Sequence, residues 1–404
     1  MKSRIEQLDV LRGIAVLLVL GHHYVIPTEK SGIFEPVSRF FELIGWTGVD
    51  LFFVLSGFLI GGLLIKETSQ TGTLNVRRFL IRRAFKIWPS YFFFLGCCII
   101  LLWLRRESLA SVDAKMQETL RYWPNLLHIQ NYVTATFHGW DPQINLLTPQ
   151  RHTWTLAVEE HFYLLLPFLI LLTCSGSRKR GGARLPWAAS CLCLAVGVLR
   201  LVFLSDSQAI ESFDRVYHET QFRFDSLLFG CLLAYAHFTH AEYFQSLTNL
   251  QRLSALTVAV GLISWPLWLS HYRWESLVFG YPALYLGWGA ITILFVSTPD
   301  SKFLRLVTAT VPAHCIRWVG VMSYTFYLWH NHGDVRGRVN YHAVSGFMKD
   351  WNESVRWIVA NTLYFALAGL AAYLTAKCIE QPALRFRDRR FPARAKISET
   401  TVRI

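Results

Sequence analysis

Near the start of the chain, residues 8–24 read LDVLRGIAVLLVLGHHY. The middle of this stretch is apolar enough to lie in a membrane, yet an arginine stands near one end and two histidines near the other. Arg12 and His23 are eleven residues apart, which places both on nearly the same helix face, about 16 Å apart along the axis. His22 lies about a quarter turn away. Because ionisable groups in hydrocarbon are costly, this face predicts either a function or a specific partner for them.

The composition is that of a membrane protein. Of the 404 residues, 53% are hydrophobic and only 17% are charged, whereas soluble proteins average about 25% charged residues. Aromatic residues make up 15% of the chain, as expected where aromatic belts meet lipid headgroups. We therefore predict an all-α, multi-pass membrane helix bundle, and a soluble protein with an apolar core is a remote alternative.

Ten apolar segments approach the length of about 20 residues that a bilayer-spanning helix needs. They cover residues 10–26, 41–65, 89–104, 153–173, 186–204, 222–239, 253–270, 277–297, 317–332 and 356–378. Basic residues concentrate in alternate connections, which predicts that both termini lie in the cytoplasm. We expect residues 1–386 to form one membrane domain and residues 387–404 a basic cytoplasmic tail.

The net charge of +13 would suggest nucleic acid in a soluble protein, but here it follows the positive-inside pattern of short loops. The eight cysteines lack the paired spacing of a zinc site, so we expect no metal. Asp9 and Arg12 interrupt the first apolar run, and no small-residue cleavage site follows it. We therefore expect a retained first span rather than a signal peptide.

A carboxylate lies in the second apolar segment, where residues 45–58 read GWTGVDLFFVLSGF. Asp50 needs a partner there, and His23 is the nearest candidate by predicted depth. A carboxylate on one imidazole nitrogen raises the basicity of the other, as in hydrolase triads. An Asp–His or Asp–Arg bond with a purely structural role is an equally common alternative.

A dense basic cluster precedes the third span, where residues 77–91 read RRFLIRRAFKIWPSY. Its members Arg78, Arg82, Arg83 and Lys86 would suit an anionic cofactor with several phosphates. Positive-inside anchoring alone is the competing interpretation.

Three further groups fall in predicted spans. Glu159 and Tyr163 are four residues apart and share a helix face. Arg223 and Asp225 predict an ion pair between helices, since charges in membranes usually pair, and His330 ends the ninth segment. The predicted topology puts acid–base groups in the outer half and the basic cluster inside, which suits either a transporter or an enzyme with a cytoplasmic activated donor.

Together these stretches resemble acyltransferase family three, the membrane-bound acyltransferases of the O-antigen acetylase type. Seven pieces occur in the family's order between residues 8 and 386. They are LDVLRGIAVLLVLGHHY, GVDLFFVLSGFLI, RRAFKIWPSY, HTWTLAVEEHFYLLLP, FRFDSLLFG, SYTFYLWH and IEQPALRF. A single one of these pieces would be weak evidence for the family, but seven pieces in the family's order are a specific signal.

The resemblance implies an inner-membrane enzyme that moves an acyl group, commonly acetyl, from acyl-CoA to a hydroxyl of a cell-surface glycan or related molecule. His23 matches the family's essential histidine, with Arg12 and Asp50 as its associated residues. Arg83 and Lys86 match the basic motif, although Lys86 stands where the family usually has arginine. Thr155 and His161 replace the usual serine and glutamine near Glu159. No esterase-like domain is appended, so we expect the stand-alone form.

The leading hypothesis is that His23 acts as a general base oriented by Asp50, or is itself transiently acylated. Arg12 would stabilise the oxyanion or bind CoA, and the basic cluster would bind the CoA phosphates. A transporter with a charged path is the alternative, although we see no internal repeat. A non-catalytic sensor is a third hypothesis. The sequence leaves the acceptor, the acyl length and the oligomeric state open.

Overall fold

The described part of the chain is helical throughout and contains no strand. The computed structural model describes residues 6–24, 34–104, 116, 119–136, 151–174, 184–205, 209–269, 273–297, 310–330, 348 and 350–392. The first helices are α1 (Glu6–Tyr24), α2 (Glu35–Ile44), α3 (Gly48–Thr71), α4 (Val76–Leu104), α5 (Trp123–Leu126), α6 (Gln130–Thr136), α7 (Trp154–Cys174) and α8 (Arg184–Ser205). The later ones are α9 (Ala209–His218), α10 (Phe224–Thr239), α11 (Ala241–Ser246), α12 (Asn249–Trp268), α13 (Tyr281–Ser297), α14 (Val311–Val321), α15 (Ser323–Trp329), α16 (Glu353–Thr375) and α17 (Gln381–Arg390). The all-α prediction is confirmed for the residues that the structure describes.

Every predicted apolar segment contains helix, but not every helix is long and apolar enough to cross a bilayer. Seven of the described helical segments meet that requirement. Three predicted spans fall short: α1 carries Asp9, Arg12 and two histidines, α10 has 16 residues, and the ninth segment breaks between α14 and α15. The structure therefore supports a multi-pass membrane protein, with seven candidate spans among its described residues.

A close helix crossing brings α3 against α10. A Cβ added to Gly57 would lie 1.9 Å from the carbonyl oxygen of Leu227, and one added to Gly230 would lie 2.2 Å from that of Val54. Small residues let the backbones of membrane helices approach closely, so both positions need glycine for steric reasons. This crossing places Asp50, near the start of α3, beside the start of α10.

The connection before α7 folds back into the protein around buried amides. Asn125 donates to Thr153 Oγ1 at 3.2 Å, and Gln130 donates to the Thr153 carbonyl at 2.9 Å. Tyr91 of α4 donates to the Asn125 carbonyl at 3.1 Å. The turn at residues 123–127 and the residues after it thus pack against α4 and the start of α7.

The last long helix changes register before it ends. The π turn Ala376–Glu380 joins α16 to α17, which packs along α4. The predicted boundary between the membrane domain and the basic tail, at residues 386 and 387, lies inside α17, and residues 393–404 are outside the described part.

Candidate active site

A cavity of about 130 Å³ lies among α1, α3, α4, α7 and the α14–α15 break, and it gathers charged and polar side chains from each. Its walls combine cations, one carboxylate and several hydroxyls. The lining residues are Arg12, Val49, Phe52, Phe53, Leu55, Ser56, Arg83, Lys86, Ile87, Thr155, Leu156, Glu159, Tyr163, Val321, Ser323, Tyr324 and Tyr327. Such a polar cavity inside a membrane bundle is the natural candidate for a functional site.

Three cations predicted from the sequence meet at this cavity. Arg12 comes from α1, where its guanidinium lies 3.8 Å from Asp9 one turn earlier. Arg83 comes from α4 and has no hydrogen bond or ion pair to any residue that the structure describes. Its guanidinium instead lies 5.8 Å from the ring centroids of Phe79 and Tyr163. Lys86, one turn further along α4, forms an ion pair with Glu380.

The other two predicted phosphate ligands point elsewhere. Arg82 pairs with Asp388 of α17 at 3.0 Å and donates to the Phe391 carbonyl. Arg78 donates to the Pro392 carbonyl. The basic cluster therefore divides into Arg83 and Lys86, which line the cavity, and Arg78 and Arg82, which contact α17 and the residues after it. The helical period of α4 separates the two sets, and the sequence alone gave no reason to expect that α17 would lie there.

The carboxylate of the cavity belongs to a chain of hydrogen bonds between α3 and α7. Tyr163 donates to Glu159 Oε2 at 2.9 Å, and Ser56 lies 2.6 Å from the Tyr163 hydroxyl. The predicted shared face of Glu159 and Tyr163 is thus present. Ser56, which was not among the predicted site residues, completes the chain of hydrogen bonds.

Histidines from three different elements meet next to the cavity. The ring centroid of His330 lies 5.2 Å from that of His23 and 4.9 Å from that of His152. His330 Nδ1 donates to the Tyr327 carbonyl at 2.6 Å, so its Nε2 carries the lone pair in the neutral ring. That Nε2 is buried and has no hydrogen-bond partner among the described residues. The described residues contain no metal-binding group of three or more ligands.

Tyr327 stands between the cavity and these histidines. Its side chain lines the cavity, while its ring centroid lies 5.1 Å from that of His330. Thr155 donates to the Tyr327 hydroxyl at 2.6 Å, and that hydroxyl donates to the His152 carbonyl. Tyr327 therefore belongs both to the wall of the cationic cavity and to the contacts of the histidine cluster.

Asp50 does not contact His23 among the described residues, so the expected Asp50–His23 bond is corrected. Asp50 Oδ1 accepts from Arg223 at 2.9 Å and from Ser226 at 3.3 Å. Both Asp50 and Arg223 are almost completely buried. A guanidinium is a permanently charged partner for a buried carboxylate, so the alternative of an interhelical Asp–Arg bond is the one present.

Asp225 has a different partner, which the sequence analysis did not select. It pairs with Arg200 of α8 at 2.5 Å, and both side chains are fully buried. Arg200 also donates to the Phe222 carbonyl at 2.9 and 2.6 Å. An isolated arginine inside the apolar segment 186–204 was the available signal. Arg223 and Asp225 thus each form an interhelical ion pair, and neither lines the cavity.

The chain is similar to curated bacterial O-acetyltransferases. It is 27% identical to peptidoglycan O-acetyltransferase OatA of Listeria monocytogenes over 81% of this chain and 49% of that protein. It is 26% identical to the putative peptidoglycan O-acetyltransferase YrhL of Bacillus subtilis, over 81% of this chain and 48% of that protein. A putative O-acetyltransferase of Staphylococcus aureus is 30% identical over 57% of this chain and 34% of that protein.

The chain therefore spans about half the length of the first two relatives. No solved structure matches it. The family model described as Acyltransferase domain matches residues 5–377, which includes every cavity-lining residue and all three histidines. The chain therefore belongs to acyltransferase family three.

Proposed function

We propose that this enzyme moves an acetyl group from acetyl-CoA to a hydroxyl of a cell-surface glycan or a related hydroxylated acceptor. The observation that carries the proposal is that Tyr327 lines the cationic cavity and also contacts the histidine cluster. Arg12, Arg83 and Lys86 supply positive charge on one side of Tyr327, and the histidine cluster supplies acid–base groups on the other. A charged donor and an uncharged hydroxyl acceptor need these two environments.

The donor end of the site is the cationic cavity. Arg83 has no ion pair in the described structure, so it is the cation most available for a phosphate of acyl-CoA. Lys86 lines the same wall one turn away, and Arg12 faces the cavity from α1. We assign Arg78 and Arg82 to the edge of the donor site, where they contact α17. Glu159 faces the same cavity and, with Tyr163 and Ser56, fixes its polar wall.

The transfer chemistry is assigned to His23. Its imidazole accepts the proton of the acceptor hydroxyl while that oxygen attacks the thioester carbonyl. The carbon–sulfur bond then breaks, and the imidazolium returns the proton to the CoA thiolate. His330 replaces Asp50 as the residue proposed to orient His23, because its ring is adjacent and its Nε2 lacks a partner among the described residues. Transient acylation of His23 is the variant of this scheme with two successive transfers.

The acceptor class follows from the relatives. Two of them are named as peptidoglycan O-acetyltransferases, one of these as putative, so a glycan hydroxyl is the first acceptor to test. We place the protein in the bacterial cytoplasmic membrane with both termini inside, which puts the basic cluster on the side where acyl-CoA occurs. The acceptor hydroxyl then approaches from the opposite side.

The test is acetyl-CoA binding and transfer by the full chain in lipid nanodiscs. We expect saturable binding of labelled acetyl-CoA and transfer of label to peptidoglycan fragments or to envelope glycan of the producing organism. A protein that binds no acetyl-CoA, but moves a solute across vesicles, would contradict the proposal and favour the transporter.

A further inference from the structure

The π turn that ends the last long helix places a buried carboxylate against a cation of the donor cavity. Glu380 is the final residue of that turn, Ala376–Glu380, and it is only 7% exposed. It lies in the motif IEQPALRF, residues 379–386, to which the proposed function gives no role. Single π turns occur mostly inside α-helices and often at functional sites.

Glu380 contacts the cavity only through a cation. Its Oε1 accepts a hydrogen bond from Lys86 Nζ, and Lys86 lines the cavity whereas Glu380 does not. An ammonium has three N–H donors, so one is directed to Glu380 and the others remain for the cavity side. Glu380 therefore bonds the Lys86 ammonium without lining the cavity itself.

The helix that begins directly after Glu380 is fixed against α4, which carries Lys86. Asp388 pairs with Arg82 at 3.0 Å. The ring centroids of Phe386 and Phe391 lie 5.6 and 6.0 Å from that of Phe85. These contacts set the position of the Glu380 carboxylate relative to Lys86.

A lysine needs such a partner more than an arginine would. Its side chain is flexible and its ammonium is a compact, strongly hydrated charge. Removing that charge from water is costly unless an opposite charge and hydrogen bonds compensate. Tyr324 adds a ring 5.8 Å from Lys86 Nζ, but among the described residues Glu380 is its only ion-pair partner.

We propose that Glu380 is a positioning residue for donor binding, which holds the charged Lys86 side chain at the cavity wall for a phosphate group of acyl-CoA. This inference rests on the proposed function. The competing view is that the pair merely joins α16 to α4. The two views differ in whether the effect of Glu380 on donor binding depends on Lys86.

The experiment measures the Kd of the full chain in nanodiscs for acetyl-CoA by equilibrium dialysis. We expect Glu380→Gln to raise Kd about tenfold, equivalent to about 1.4 kcal/mol. In a Lys86→Met background the same substitution should change Kd less than about twofold. Glu219→Gln is the matched control, since Glu219 is also buried and pairs with a cation, Arg215, at 2.7 Å, but lies outside the cavity. We expect its Kd to equal that of the wild type.

Each outcome decides between the two views. An unchanged Kd in Glu380→Gln, or an equal rise in both backgrounds, would overturn the inference while leaving the proposed function intact. A wild-type protein that binds no acetyl-CoA would overturn both. If Glu380→Gln does not elute as a folded protein, Glu380→Asp takes its place, because it keeps the charge and withdraws it by one methylene. We expect Glu380→Asp to give a rise of about threefold that also disappears in the Lys86→Met background.

Discussion

Arg223 Nη2 lies 2.9 Å from Asp50 Oδ1 in the interior of the bundle, where both side chains are at most 1% exposed. The Arg223 guanidinium also lies 3.9 Å from the ring centroid of Tyr281. The pair joins α3 to the turn before α10, at the helix crossing that positions Asp50. Neither residue lines the cavity.

Breaking this pair should destabilise the protein strongly. Asp50→Asn leaves Arg223 buried without its counter-charge, which costs about 3–5 kcal/mol. Thermal unfolding in nanodiscs should show a large loss for Asp50→Asn and a smaller loss for the double variant Asp50→Leu with Arg223→Met, which removes both charges. Equal losses in the two proteins would contradict a simple ion-pair role.

Arg83 should matter more for donor affinity than Arg78. Arg83→Gln removes a cavity-lining guanidinium with no other ion-pair partner in the described structure, and a charged hydrogen bond is worth about 1.5–3 kcal/mol. We expect the KM for acetyl-CoA to rise more than about tenfold with a smaller change in kcat. Arg78→Gln is the matched control on the same helix, with an expected change below about threefold. A larger rise in KM for Arg78→Gln than for Arg83→Gln would indicate that the CoA phosphates bind near α17 instead.

His330 should affect the turnover of the enzyme rather than its affinity for the donor. His330→Phe keeps an aromatic ring beside His23 but removes the Nε2 lone pair. We expect kcat to fall about ten- to hundredfold with the KM for acetyl-CoA nearly unchanged, because the donor cavity lies beyond Tyr327. A variant with normal kcat would show that His23 is oriented by another group.

His128 should make stability depend on pH. Burial, with a smaller effect of His161, lowers the pKa of His128 from 6.5 to about 4. Between these values the unfolded chain binds a proton that the folded one excludes, so stability falls as the pH decreases from about 6.5 to about 4, by about 3 kcal/mol in all.

The control for this effect is His128→Asn. His128 has a φ of 56°, which asparagine tolerates better than most residues, and asparagine does not titrate. The difference in Tm between pH 7 and pH 5 should be smaller in His128→Asn than in the wild type. An identical difference in both proteins would assign the acid sensitivity to other groups.

The sequence predicted those features of the site that lie within a single helix. Helical spacing placed Arg12 and His23 on one helix and Glu159 beside Tyr163, and both arrangements are present. The sequence alone did not predict which residues pair between distant helices. Two carboxylates and two arginines at similar depth allow several pairings, and only the packing of α3, α8 and α10 selects Asp50 with Arg223 and Asp225 with Arg200. Glu380 was not predicted as a site residue, because the spacing of hydrophobic residues does not reveal the π turn that directs it to Lys86.

The assignment of the transfer chemistry to His23 is tested by measuring acetyl transfer in variants of the two neighbouring histidines. Purified His23→Ala and His22→Ala proteins are compared with the wild type for transfer of label from acetyl-CoA, with acetyl-CoA binding measured alongside. A general base contributes about 10²- to 10⁴-fold. We expect His23→Ala to lose at least a hundredfold (about 10²) in transfer rate while still binding acetyl-CoA, and His22→Ala to keep most of its activity. Wild-type transfer by His23→Ala would contradict the assignment of the chemistry to this residue.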